Sequence, residues 1–123
     1  MVKIWFITGG LFGFLSVAFG AFGAHALSKS LAPDMMANFE TAVRYQMYHA
    51  LALLLLGIVQ HQTQIDLFGY SGWAFLFGIL FFSGSLYMMS ITGMKWLGAI
   101  TPIGGLAFLF GWGWFVYQVF KNL

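Results

Sequence analysis

Residues 38–49 read NFETAVRYQMYH, and this short stretch holds most of the side chains that could do chemistry. Glu40 and Arg44 stand at i, i+4 in the order that favours an ion pair on a helix, and Arg44 and Tyr48 repeat the spacing. Asn38, Thr41, Tyr45 and His49 form the adjacent stripe, with Gln46 beside it. Two more groups ask to be placed: His25, which closes the apolar segment GAFGAHAL, and Tyr87, within FSGSLYMMS. Such a set could bind a small ligand, a lipid headgroup or a partner protein. Its ionisable members are also of the kind that lines proton or solute paths, since a histidine titrates near neutral pH. Alternatively, His25 and His49 could ligate a haem, or a metal ion with Glu40. Hydrolysis by Ser83 or Ser85 is the weakest option, because small hydroxyl residues beside a glycine ordinarily serve helix packing.

The composition decides the solvent in which any of this occurs. Of 123 residues, 61% are hydrophobic and 7% charged, where a soluble domain has roughly 25% charged residues. A water-soluble chain of this length could not hide so much apolar surface. Five Lys or Arg are scattered singly against three Asp or Glu, so the formal charge of +2 makes no basic patch and nucleic acid is excluded as a partner. The chain has no cysteine, which removes disulfides, thiolate metal sites and cysteine nucleophiles. G-x-S-x-G, H-E-x-x-H and a phosphate-binding glycine loop are absent as well, so the expectation is a non-enzymatic protein with no cofactor.

A bilayer core of about 30 Å takes about 20 apolar residues of helix. Four segments qualify, at about 4–26, 41–60, 71–91 and 97–120, separated by LSKSLAPD, HQTQIDLFGY and TGMKW. The first imitates a secretory signal, with Lys3 ahead of an apolar run and Ala24, His25 and Ala26 in an A-x-A pattern, but the run exceeds the usual 7–15 residues and reads as a retained helix. The expected fold is therefore all-α, an integral membrane four-helix bundle with short loops and antiparallel neighbours, in one domain over residues 1–123.

Glycines and other small residues recur at spacings of three and four: Gly9, Gly13, Ser16, Gly20 and Gly23 in the first span, Ala74, Gly78 and Ser85 in the third, Gly104, Ala107 and Gly111 in the fourth. Such faces allow close backbone approach. They serve either tight packing inside one bundle or a seam between copies, so a homo-oligomer through glycine-rich helix faces is expected. Lys3 and Lys121 on one side against Lys29, Arg44 and Lys95 on the other leave the orientation a near tie.

The second span is unusual. Pro33 suits the first helical position and Asp34 the positive end of the dipole, and a helix from there to Gln60 would run roughly 42 Å, longer than the hydrocarbon is thick. Its uninterrupted apolar run covers only residues 50–59, which draws Arg44, Tyr45, Gln46, Tyr48 and His49 into the outer third of the membrane. There they either anchor the interface or face the bundle. Antiparallel topology brings His25, Tyr87 and Thr101 to the same side, where His25 is expected to hydrogen-bond to the polar half of the second helix. The candidate ligand-binding set is thus His25, Glu40, Arg44, Tyr45, Gln46, His49 and Tyr87.

GAFGAHAL, YQMYHALALLL, FSGSLYMMS and ITPIGGLAFLFGW, in this order, resemble the small four-helix membrane family known as domain of unknown function 423, over nearly the whole chain. The match falls on residues 20–25, on Tyr45, Gln46, His49 and Ala50, on residues 83–87, and on Thr101, Pro102, Gly104, Gly105 and Trp112. The resemblance implies the fold and a bacterial inner-membrane location. It leaves open an unknown small ligand or membrane-protein partner.

Overall fold

The computed structural model describes residues 2–123, and among them all regular structure is helical. Four helices are long and apolar enough to cross a membrane: α1 (Val2–Leu27), α2 (Pro33–Thr63), α3 (Asp66–Thr92) and α4 (Lys95–Asn122). These are the four expected spans, with α2 extended at both ends. Pro33 follows an extended Ala32 (ψ 154°) in the first turn of α2, and Asp34 Oδ1 accepts the Met35 N–H at 3.0 Å, so the helix start foreseen at this proline is formed. At 31 residues α2 is roughly 46 Å long and must tilt or protrude. α3 stops at Gly93, whose φ of 74° lets its N–H close on the Met89 carbonyl at 2.8 Å; only glycine adopts this left-handed cap without strain.

The links at residues 28–32, 64–65 and 93–94 are too short for anything but antiparallel neighbours. α1 lies along α2, α2 along α3 and α3 along α4, while α1 and α3 meet only sparsely. One core cluster joins Trp5, Leu53, Leu56, Phe68, Phe75 and Phe108, and a smaller one joins Ala42, Leu86, Met89 and Leu97.

The polarity is inverted relative to a soluble bundle. Phe14, Phe22, Leu109 and Phe120 stand exposed, whereas Gln46, His49, Gln60, Gln118 and five serines are buried. Among the described residues no buried side-chain nitrogen or oxygen lacks a hydrogen-bond partner. An apolar exterior around an internally satisfied polar interior is what a lipid solvent demands, and the chain is a multi-pass membrane protein.

Most of the small-residue faces are consumed inside the chain. A Cβ on Gly9 would lie 2.9 Å from the Ala50 carbonyl, on Gly111 2.6 Å from the Phe75 ring, and on Gly104 2.7 Å from the Phe82 Cα, while one on Gly78 would meet the Phe108 ring. These contacts let the backbones of α1 and α2, and of α3 and α4, close upon each other. Gly10 and Gly13 have open space instead.

Two helices change pitch midway. Ala18–Gly23 in α1 and Ile79–Ser83 in α3 are wound as π-helix, with the Ala24 N–H bonded to the Phe19 carbonyl and the Gly84 N–H to the Ile79 carbonyl. Such single-turn widenings are rare and occur frequently at functional sites.

Candidate functional site

The inward line of α2 runs through Ala42, Gln46, His49, Leu53, Leu56 and Gln60, at the i+3 and i+4 steps that keep one face of a helix on its neighbours. This rotation divides the sequence candidates. Gln46 and His49 are buried at 2% and 4% exposure, whereas Tyr45 is 38% exposed and Glu40 and Arg44 point outward. Arg44 Nη2 donates to Thr41 Oγ1 at 3.2 Å rather than pairing with Glu40.

Gln46 is a three-helix bridge. Its Nε2 donates to the Phe12 carbonyl of α1 at 2.9 Å, and its Oε1 accepts the Tyr87 hydroxyl of α3 at 2.6 Å. His49 ties α2 to α4: the Trp112 Nε1–H donates to its Nε2 at 3.0 Å, and its Nδ1 lies 2.7 Å from the Tyr45 carbonyl. An indole N–H can only donate, so Nε2 is the acceptor and Nδ1 carries the proton to Tyr45. The Phe108 ring stacks on the imidazole at 3.6 Å and 9°. Both ring nitrogens are thereby committed, and among the described residues no three His, Cys, Asp or Glu gather into a possible metal site.

His25 does not join this network. It is exposed in the last turn of α1, where its backbone carbonyl accepts the Ser28 hydroxyl at 2.8 Å; among the described residues its ring makes no hydrogen bond to α2, contrary to the expectation. The structure therefore brings Gln46, His49 and Tyr87 into the bundle and leaves His25, Glu40, Arg44 and Tyr45 at its outer edge.

Sequence reasoning missed a second polar level at the opposite end. Trp5 Nε1 donates to Gln60 Oε1 at 2.7 Å, Gln60 Nε2 reaches Asp66 Oδ1 at 3.5 Å, and the Ser71 hydroxyl donates to the Gly111 carbonyl at 2.7 Å. One signal was available: Gln46, Leu53 and Gln60 recur every seven residues, so whatever turns Gln46 inward turns Gln60 inward too.

A groove opens where α1 and α3 stand apart. Its α3 wall is a single helical stripe, with Asp66, Tyr70 and Trp73 at one end, Phe77 and Leu80 in the middle, and Gly84, Tyr87 and Ile91 at the other. Four recesses of about 290, 440, 150 and 270 Å³ follow that stripe in order, and successive recesses share lining residues: Trp73, then Phe12 and Leu80, then Phe19 and Tyr87. The first recess is lined by α3 alone, and the α1 wall of the other three includes Thr8, Phe12, Phe19, Gly23 and Leu27. Both π-wound turns border the groove, through Phe19 and Gly23 on one wall and Ile79 and Leu80 on the other. Gln46 lies in its floor and bridges the two walls.

Comparison with known proteins adds a family and no activity. Residues 19–105 match the family described as Protein of unknown function (DUF423). The chain is 45% identical over 120 residues to a UPF0382 membrane protein of Staphylococcus haemolyticus, covering 98% of each chain. It is 47% identical over 111 residues to one of Staphylococcus epidermidis, covering 90% of each, and 44% identical over 120 residues to one of Staphylococcus aureus, covering 98% of each. No solved structure matches the chain.

Proposed function

We propose a role for this chain, which belongs to the DUF423 family of membrane proteins, as a non-enzymatic binder of a single amphiphile whose tail lies in the groove between α1 and α3. The observation that carries this reading is the continuity of the groove along one face of α3 from Asp66 to Ile91. At 1.5 Å per residue that stripe is roughly 38 Å long, so the tail of one leaflet's lipid, about half of a 30 Å core, fits within it with the headgroup at one end. Its walls are apolar through the middle, where Phe12, Leu15, Phe19, Ile79 and Leu80 line it, as a hydrocarbon tail requires. Gln46 and Tyr87 act as the spacer that fixes α1 and α3 at this separation, and His49 locks the same face of α2 to α4. His25, Glu40, Arg44 and Tyr45 lie outside the groove and take no part.

The test is native mass spectrometry of protein released from bilayers of phosphatidylethanolamine and phosphatidylglycerol. The expected result is one lipid retained per chain after detergent wash. Thr8→Phe fills the largest of the four recesses of the groove at the cost of only a local hydroxyl bond to the Ile4 carbonyl, and should remove the retained lipid without changing the melting temperature. Gly10→Leu adds bulk in open space on the other side of α1, between α1 and α2, and should leave retention intact. Retention that survives Thr8→Phe, or that is lost with Gly10→Leu instead, overturns the reading.

A further inference from the structure

The groove has one acid, and it sits at an end. Asp66 opens α3 at one end of its span, and Tyr70 and Trp73 follow at i+4 and i+7, so the three line the same recess of about 290 Å³. Among the described residues the carboxylate makes one side-chain hydrogen bond, the long one of 3.5 Å from Gln60 Nε2. An ionised carboxylate offers about four acceptor positions, so most of its capacity is left for a ligand in the recess it lines. The two rings are about half exposed, and each is held by a neighbouring tryptophan. Trp73 meets Trp5 edge to face at 5.3 Å, and Tyr70 meets Trp114 edge to face at 5.7 Å. An anion flanked by two held aromatic rings is the arrangement that attracts an ammonium, through charge and through the ring quadrupoles.

From these contacts, and resting on the reading of the groove as an amphiphile site, we infer that Asp66, Tyr70 and Trp73 bind the primary ammonium of a zwitterionic lipid such as phosphatidylethanolamine. The depth agrees. From Asp66 to Leu80 α3 rises roughly 21 Å, one headgroup layer plus half of a 30 Å core, so a tail descending from this site ends in the middle of the groove. The primary ammonium supplies N–H donors to the carboxylate that a phosphatidylglycerol headgroup lacks, and the carboxylate repels the net negative charge of that lipid.

The experiment uses the full chain in bilayers with equal phosphatidylethanolamine and phosphatidylglycerol, reading the retained lipid by native mass spectrometry. The wild type is expected to retain phosphatidylethanolamine about fivefold or more over phosphatidylglycerol. Asp66→Asn keeps an oxygen for Gln60 and removes the charge, so it should equalise the two lipids while one lipid stays bound. Asp66→Glu should restore most of the preference, and Trp73→Leu should weaken it by roughly threefold. A retained lipid without preference in the wild type, or a preference unchanged in Asp66→Asn, overturns this inference and leaves the groove reading standing. Loss of all retained lipid from the wild type overturns both. Asp66-dependent binding of free ethanolamine in lipid-free detergent, with no selectivity in bilayers, would assign the site to a soluble amine and overturn the lipid assignment.

Discussion

Two adjacent glycines on α4 provide the sharpest test of the packing. A Cβ at Gly104 would lie 2.7 Å from the Phe82 Cα and Cβ of α3, about 1 Å inside ordinary carbon–carbon contact. The nearest obstacle is backbone, so no rotamer relieves it and α3 and α4 must separate by about that amount. The Ser85–Thr101 hydroxyl pair at 2.6 Å bridges the same two helices nearby and would be stretched with them. Overpacking of this kind costs about 1–3 kcal/mol, the interhelical hydrogen bond adds about 0.6, and the better helix propensity of alanine returns up to about 1. Gly104→Ala should therefore destabilise by about 2 kcal/mol and lower the melting temperature by roughly 5–10 °C. At Gly105 the same Cβ would meet only the Phe82 ring at 3.8 Å, so Gly105→Ala should be neutral or slightly stabilising. Thermal unfolding in one detergent, followed by tryptophan fluorescence, compares the pair directly. Equal melting temperatures for the two variants would refute the seam between α3 and α4.

Three further outcomes follow from the polar interior. Gln46→Leu strands the Tyr87 hydroxyl and should cost about 1–3 kcal/mol, while Gln46→Leu with Tyr87→Phe recovers part of it; a double-mutant cycle should give a coupling of about 0.6–1.7 kcal/mol, and zero coupling would refute the bridge. In the ¹⁵N spectrum at pH 7, His49 should carry its proton on Nδ1 with Nε2 bare, and Trp112→Phe should shift the Nε2 resonance; a proton on Nε2 would contradict the bond from Trp112. Ser83→Ala loses a hydroxyl bond from α3 to the Ala42 carbonyl of α2 and should cost about 0.6 kcal/mol. Ser90, which bonds back to the Leu86 carbonyl within its own helix, should tolerate alanine with no measurable change in the same unfolding assay.

What the sequence by itself determined was whatever depends on short range and on solvent. The runs of apolar residues, the proline at the start of α2 and the brevity of the links dictate four antiparallel spans, because backbone polar groups in lipid must be satisfied within each segment. The small-residue spacing pointed to Gly104 and Gly111, and both lie against α3. In the polar half of α2 the sequence supplied the inventory but not the rotation. Two stripes were available, Glu40–Arg44 and Thr41–Tyr45–His49, and the observed inward line through Ala42, Gln46 and His49 lies to one side of both, sharing only His49 with the second. A helix turned by a fraction of a turn presents a different set, and that angle is set by partners far away: the Phe12 carbonyl 34 residues before Gln46, Tyr87 41 residues after it, and Trp112 63 residues after His49. The groove was beyond reach for the same reason. It exists because α1 packs on α2 rather than on α3. A helix–helix gap leaves no mark on hydrophobic periodicity, so only the tertiary structure could bring Asp66 to one end of a groove that reaches Ile91 at the other.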